Sequence, residues 1–199
     1  MFMIRNNQNN QGFALLMTLL VVGVVVTITL TVIELTIRQL NLAVTAKDSE
    51  IAFYATNAGL ECARYVRRVA SSSFEKSGTP LNSISFECFN TTQDLDLTSY
   101  GGLTTNGNGV IRRYKGMVTW GANDRCSVID MLVMLVPDTE VTDLEITNLN
   151  TLFKGYPAGN IKSCSPGALC TVAAVTGFNR SCANINITGT VRREILLEF

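Results

Sequence analysis

The chain has 199 residues, about the size of one domain, and 47% of them are hydrophobic, which is high for a soluble protein. The 16 basic and 16 acidic residues give no net charge, and histidine is absent. The chain therefore lacks the side chain best suited to act as a base near neutral pH, and it also lacks the GxSxG, HExxH, GxGxxG and phosphate-loop motifs. We expect neither enzyme activity nor a cofactor.

The first predicted element is a transmembrane helix. Residues 13–33 (FALLMTLLVVGVVVTITLTVI) run for 21 residues without a charge or a proline. At about 1.5 Å per residue this run spans roughly 31 Å, the hydrocarbon thickness of a bilayer. A cleaved secretory signal has a shorter apolar core of about 7 to 15 residues, and a helix buried in a soluble protein would need more chain around it.

Charge and cysteine placement predict which side of the membrane holds the rest of the chain. The 12 residues before the run contain Arg5 and no acid, which favours a cytoplasmic N-terminus. All six cysteines follow the run: Cys62, Cys88, Cys126, Cys164, Cys170 and Cys182. An even number of cysteines outside the cell predicts disulfides. A zinc site is the alternative, but without histidine or CxxC it would need four thiolates at unusual spacing, so we expect no metal.

The helical pattern continues beyond the membrane. From residue 34 to about residue 69 the only glycine is Gly59 and there is no proline. The predicted buried stripe has steps of three, four and seven residues and consists of Ile37, Leu40, Val44, Ile51, Ala55, Ala58 and Cys62. We therefore predict one helix of about 55 residues, roughly 80 Å long, whose first half is apolar all round and whose second half has one buried face.

After residue 71 the sequence changes to turn clusters that separate short runs rich in β-branched and aromatic residues. The predicted strands are 84–89, 110–120, 127–136 and 188–199. They are expected to form an antiparallel sheet on the helix, which makes the fold class α+β. The glycine-rich segment 101–109 lacks the lysine of a phosphate-binding loop, and the acidic segment 138–145 does not match an EF-hand, so both are predicted to be surface loops. Ten basic and twelve acidic residues from residue 71 onward argue against DNA binding.

Two segments resemble the type IV pilins and the pseudopilins of type II secretion. They are GFALLMTLLVV at residues 12–22 and SEIAFYATNAGLECARY at residues 49–65, and they are most similar to PilX-like minor pilins and K-type minor pseudopilins. The resemblance implies cleavage by prepilin peptidase after Gly12 and N-methylation of Phe13. It further implies a pilin-like fold, with residues 1–12 as leader, 13–33 as filament-core helix, 34–70 as its amphipathic continuation and 71–199 as extracellular head.

The resemblance also implies binding partners and a cellular location. Before assembly the subunit would be a single-pass membrane protein in contact with lipid, prepilin peptidase and an inner-membrane assembly platform. Afterwards its N-terminal helix would pack on other pilin subunits in a cell-surface filament. Gln11 stands where most members carry Lys or Arg.

The fifth mature residue is Met17, where major pilins carry a glutamate that neutralises the terminal amine of a neighbour. An unpaired charge in the apolar filament core is costly. This departure implies a minor or tip subunit, unless Thr18 or a carbonyl satisfies the amine. Gly23, a weak helix former, marks where the helix is expected to loosen on assembly.

Six cysteines permit 15 pairings. Cys164 and Cys170 enclose Pro166 and Gly167, a turn, so they are predicted to pair. Cys62 projects from the sheet-facing stripe and Cys88 lies in the first returning strand, which predicts the second pair. Cys126 and Cys182 remain, with Cys62 to Cys182 as the main competing pairing.

Two functions fit the sequence. The first is a structural filament subunit that serves adhesion, motility, DNA uptake or secretion. The alternative is a signal-anchored exported domain that binds a partner at the cell surface and never polymerises. The state of the mature N-terminus distinguishes them.

Overall fold

The computed structural model describes residues 11–75, 81–121 and 124–199. The predicted leader lies outside these residues except for Gln11 and Gly12. The chain forms two compact units, residues 1–46 and residues 47–199.

The long predicted helix is confirmed. It is α1, Gln11–Val69, with 59 residues, and a short helix α2 (Ser71–Glu75) follows it. Because α1 has no proline and carries glycine only at positions 12, 23 and 59, little in the sequence opposes continuous helical hydrogen bonding. In the first unit, every described side chain from residue 12 to residue 46 is exposed.

The buried face of α1 differs from the predicted stripe. Ile37, Leu40 and Val44 are exposed, whereas Ile51 and Ala58 are only half-buried. The buried face consists of Ala52, Ala55, Thr56, Gly59, Leu60, Cys62, Ala63 and Val66. Most of these residues are small, so the helix can lie close to the sheet. The prediction followed the large aliphatic residues, and those before residue 47 belong to the first unit, where the described side chains are exposed.

The second unit contains a six-stranded antiparallel sheet in the order β1-β2-β4-β5-β8-β9. Its strands are β1 (Ser83–Cys88), β2 (Thr91–Thr98), β4 (Val110–Trp120), β5 (Arg125–Leu135), β8 (Leu169–Phe178) and β9 (Arg192–Glu198). One face packs on α1, and this arrangement confirms the predicted α+β class.

Three of the four predicted strands correspond to β1, β4 and β5 within two residues at each end. The last one begins later than predicted, at Arg192, because the turn before it contains Gly189 at φ 85° and the Thr190 N–H donates to the carbonyl of Ile187. The prediction missed β2 and β8. The first has the polar sequence TTQDLDLT and the second has alanines and a glycine in its middle, so neither shows a strong strand pattern.

A second sheet lies on the other face of the first. Its three antiparallel strands, in the order β3-β6-β7, are β3 (Thr104–Asn106), β6 (Leu144–Thr147) and β7 (Lys162–Cys164). The predicted surface loops 101–109 and 138–145 therefore each contain strand residues, which corrects the sequence prediction. Leu144, Ile146 and Phe153 are buried against Leu132 and Met134 of β5, so the unit has a core on both faces of the larger sheet.

Polar contacts fix α1 on the sheet where the packing is tightest. The Gly177 N–H donates to Thr56 Oγ1 (3.1 Å), and this hydroxyl lies within hydrogen-bond distance of the carbonyls of Ala52 (2.8 Å) and Arg193 (3.0 Å). Nearby, Ser127 Oγ donates to the carbonyl of Ala55. These bonds satisfy polar groups inside the interface, so the backbones of helix and sheet can approach closely without an unsatisfied donor.

The pair formed by Lys162 and Glu198 predicts how the second unit responds to acid. The Lys162 ammonium donates to the Glu198 carboxylate at 2.6 Å and holds the pKa of Glu198 below its usual value, against the effect of burial. A lowered folded-state pKa contributes stability above the ordinary carboxyl pKa of about 4.3, and this stability is lost as the pH falls through the lowered value. We expect Glu198→Gln to flatten the decline of the unfolding midpoint between about pH 5 and pH 2. Thermal unfolding followed against pH checks this, with Glu145→Gln as the control; an unchanged slope would contradict it.

Candidate membrane anchor and assembly segment

The part of α1 in the first unit has the composition of a membrane span. An 18-residue window of this helix has a mean hydropathy of 2.7, and none of the window is buried inside the protein. Within the described ranges this is the one helix that is long and apolar enough to cross a bilayer. The structure is therefore compatible with a single-pass anchor near the N-terminus.

The polar side chains of the span are internally satisfied. Threonine hydroxyls donate to carbonyl oxygens three or four residues earlier: Thr18 to Leu15 (2.9 Å), Thr27 to Val24 (2.8 Å), Thr29 to Val25 (2.7 Å), Thr31 to Ile28 (2.7 Å) and Thr36 to Val32 (2.8 Å). An unsatisfied hydroxyl costs several kcal/mol in hydrocarbon. Because each of these donors has a partner in its own helix, the segment can sit in lipid without help from other chains.

The first charges after the apolar run form an ion pair. Arg38 Nη2 lies 2.5 Å from Glu34 Oε1, one helical turn away, and both side chains are largely exposed. Such a pair adds only a few tenths of a kcal/mol to an exposed helix. Its position marks the end of the segment that hydrocarbon can cover.

The predicted processing and assembly residues all lie on the first turns of α1. Phe13 is 66% exposed and Met17, four residues later, is 48% exposed, so both lie on one side of the helix. The Thr18 hydroxyl donates to its own helix. A Cβ added at Gly12 or at Gly23 would meet no atom within 4 Å. The helix itself therefore imposes no requirement for glycine at either position.

The cysteines of the second unit form three disulfides, and none is free. They join Cys62 to Cys88 (Cα–Cα 6.0 Å), Cys126 to Cys182 (4.8 Å) and Cys164 to Cys170 (5.9 Å). These are the pairs that the sequence argument predicts. Disulfides persist in oxidising surroundings, so they fit a domain outside the cell.

Two carboxylates of the acidic segment 138–145, the segment compared with a calcium loop, accept hydrogen bonds from side chains of the protein. Glu140 Oε2 accepts a bond from Asn108 (3.1 Å), and Asp143 Oδ2 accepts one from Ser163 (2.7 Å). In the part of the chain that the structure describes, no group of three or more His, Cys, Asp or Glu side chains is placed to hold a metal ion.

Sequence reasoning missed the polar residues that anchor α1 in the second unit. Arg67 Nε donates to Thr171 Oγ1 (2.8 Å) and its Nη2 to the carbonyl of Leu169 (2.7 Å), while Arg193 Nε donates to Ser49 Oγ (2.9 Å). The sequence feature that could have indicated this interface is the presence of serine, threonine and arginine beside small residues in the helix. These bonds tie the part of α1 in the second unit to β8 and β9.

Comparisons of the chain with protein-family models, with curated proteins and with solved structures found no match.

Proposed function

We propose that this chain is the precursor of a structural filament subunit of the type IV pilin or pseudopilin kind. Prepilin peptidase would cleave it after Gly12 and methylate the amine of Phe13. The mature subunit would reside in the membrane as a single-pass protein. An inner-membrane assembly platform would then insert it into a cell-surface filament. This proposal assigns the chain a structural role and no catalytic one.

One observation carries the proposal. The apolar half of α1, with no side chain buried inside the protein, continues without a break into the helix that forms the core of a disulfide-bonded head. A segment with this much exposed apolar surface requires a cover. Lipid provides that cover before assembly, and the same segments of neighbouring subunits would provide it in a filament. A signal-anchored domain would have no need for an apolar helix that continues without a break into the core of its head.

The residue at position 17 supports a minor or tip position for the subunit in the filament. Met17 presents a thioether where a carboxylate would pair with the terminal amine of a neighbouring subunit. A subunit without that carboxylate does not supply the partner charge needed by the next copy. We therefore propose a minor or tip subunit that packs on other pilins through its N-terminal helix, with Gly23 as the position where the helix loosens.

Replacing Gly12 tests the maturation step. Because an added Cβ at Gly12 meets nothing within 4 Å, Gly12→Leu is expected to keep the helix intact. The substitution would, however, prevent the close backbone approach that a protease needs at a glycine site. We expect Gly12→Leu protein to accumulate at precursor size in cells that contain prepilin peptidase, as measured by gel mobility and intact mass.

Gly23→Leu is the matched control, since its Cβ is equally unhindered and lies in the same helix. We expect the control to be cleaved to mature size. Cleavage of Gly12→Leu at the normal rate, or failure of both variants to be cleaved, would contradict the proposed maturation.

A further inference from the structure

In the part of the chain that the structure describes, no strand pairs with the outer side of β1, which leaves the larger sheet of the second unit with an open edge there. This strand is hydrogen-bonded to β2 on one side and is the terminal strand in the sheet order. Beside the open edge, α1 forms the opposite wall of a cleft of about 440 Å³, which continues into a second one of about 680 Å³; the two share Tyr65 and Glu87. An extended segment placed here would lie between an open strand edge and a helix, as in domains that bind peptides by strand addition.

The first cleft has a largely apolar wall, whereas the second is lined mostly by charged side chains, two acidic and two basic: Glu61, Glu87, Arg64 and Arg68. The joined cleft nevertheless exposes large apolar groups. Its large apolar side chains are Tyr65 (45% exposed) and Val69 (58%) from the helix and Leu81 (43%) and Phe89 (46%) from either end of β1. An exposed apolar group of this kind beside an unpaired strand edge promotes association unless something covers it.

The outward face of the same edge is acidic. The exposed residues Ser83, Ser85 and Glu87 of β1 lie opposite Asp96, Asp94 and Thr92 of β2. No basic residue stands on either strand, and the next one on that face is Lys115 of β4, opposite Asp96. On the helix side of the cleft, Arg64 is paired with Glu61 at 2.7 Å. A strand added at β1 would therefore meet carboxylates on its outward face and apolar side chains on the other.

We propose that the β1 edge binds an extended segment of another protein in which apolar and basic side chains alternate. The apolar side chains would enter the first cleft between Tyr65, Val69 and Leu81. The lysine or arginine side chains would face Glu87 on β1 and, across Ser85 and Ser83, the aspartates Asp94 and Asp96 on β2. Opposite charges on neighbouring strands stabilise pairing, and like charges oppose it. This inference does not depend on filament assembly.

A second copy of this chain is a poorer occupant. Its own open edge, β9, would present Arg192, Glu194, Leu196 and Glu198 on the outward face, judged from their register with β8. Only Arg192 of these four is basic, and Glu194 would oppose the acidic face of β1, while Glu198 is already paired with Lys162.

Labelled octapeptides test the proposal against the full chain in a nonionic detergent, with empty micelles as the blank. The probes are alternating lysine and valine, alternating glutamate and valine, and the lysine–valine peptide with alternate backbone nitrogens methylated. Fluorescence anisotropy is expected to show binding of the first peptide only. Equal binding of the glutamate peptide or of the methylated peptide would overturn the proposal, and so would the absence of binding by all three.

Two surface substitutions locate the site. Val69→Asp and Glu87→Lys are each expected to weaken binding of the lysine–valine peptide about fivefold or more. The controls Val141→Asp and Asp124→Lys make the same charge changes at exposed positions away from the cleft and should leave binding unchanged. Circular dichroism establishes that all four variants are folded. If Val69→Asp instead dissolved a self-associated form of the chain, the occupant would be a second copy and the proposal would be wrong.

Discussion

Replacing Gly177 with alanine is expected to destabilise the head more than any other single methyl group added there. The added Cβ would overlap the backbone nitrogen of Thr56 and lie 2.5 Å from the carbonyl oxygen of Ala52 and 2.6 Å from the carbonyl carbon of Ala55. These are backbone atoms, so no side-chain rotation relieves the clash, and helix and sheet must separate. We expect the free energy of unfolding to fall by about 3 kcal/mol.

Chemical denaturation of the full chain in detergent, followed by near-ultraviolet circular dichroism, measures this effect. Gly101→Ala is the matched control because its added Cβ meets nothing within 4 Å and its backbone is not in the left-handed region. A loss below about 0.5 kcal/mol for Gly177→Ala would show that the helix does not lie on the sheet as closely as described.

Removal of the disulfides is expected to destabilise the head in an order set by loop length. A disulfide restricts the unfolded chain more when it closes a longer loop. The sequence separations are 56 for Cys126–Cys182, 26 for Cys62–Cys88 and 6 for Cys164–Cys170. The chain-entropy relation then predicts losses of about 4.2, 3.5 and 2.2 kcal/mol, respectively, for the paired alanine variants.

Paired variants leave no unmatched thiol, so the three measurements are directly comparable. Peptide mapping without reduction must first show that the two remaining bonds are unchanged in each variant. A larger loss for the short Cys164–Cys170 loop than for the long Cys126–Cys182 loop would contradict the loop-length argument. A Cys88 peptide linked to anything other than the Cys62 peptide would contradict the fold itself.

The sequence predicts the helix well because its evidence is local. An uninterrupted apolar run, followed by a helical repeat without proline, leaves few other structures for residues 13–69. The buried face was predicted less well, since small residues such as Ala52 and Gly59 carry no strong hydrophobic signal. Their burial depends on how closely the sheet approaches the helix. The order of hydrophobic residues along the chain gives no information on that distance.

The strands of the sheet were harder to predict from the sequence pattern than the helix. Strand β8 lies centrally, between β5 and β9, yet its sequence LCTVAAVTGF has small residues where it meets the helix. Buried on both faces, it shows no alternation of polar and apolar residues. The second sheet was missed for another reason. Strands β3 and β7 have only three residues each, and non-local pairing with β6 rather than local propensity makes them strands.

The candidate site, too, could be predicted from the sequence only in part. Gly12, Phe13 and Met17 could be chosen from the sequence because the resemblance that implies their roles depends only on their positions along the chain. The acidic open edge at β1 could not, because it depends on which strands the fold places side by side. The disulfide pairs could be inferred because turn residues and the returning strand limit the geometry.

The mass and N-terminal sequence of the protein purified from cells that make prepilin peptidase test the central claim most directly. We expect a chain that begins at Phe13, carries one methyl group on its terminal nitrogen and lacks residues 1–12. A chain that retains Met1 and runs uncleaved through the apolar segment would contradict it and would indicate a signal-anchored surface domain.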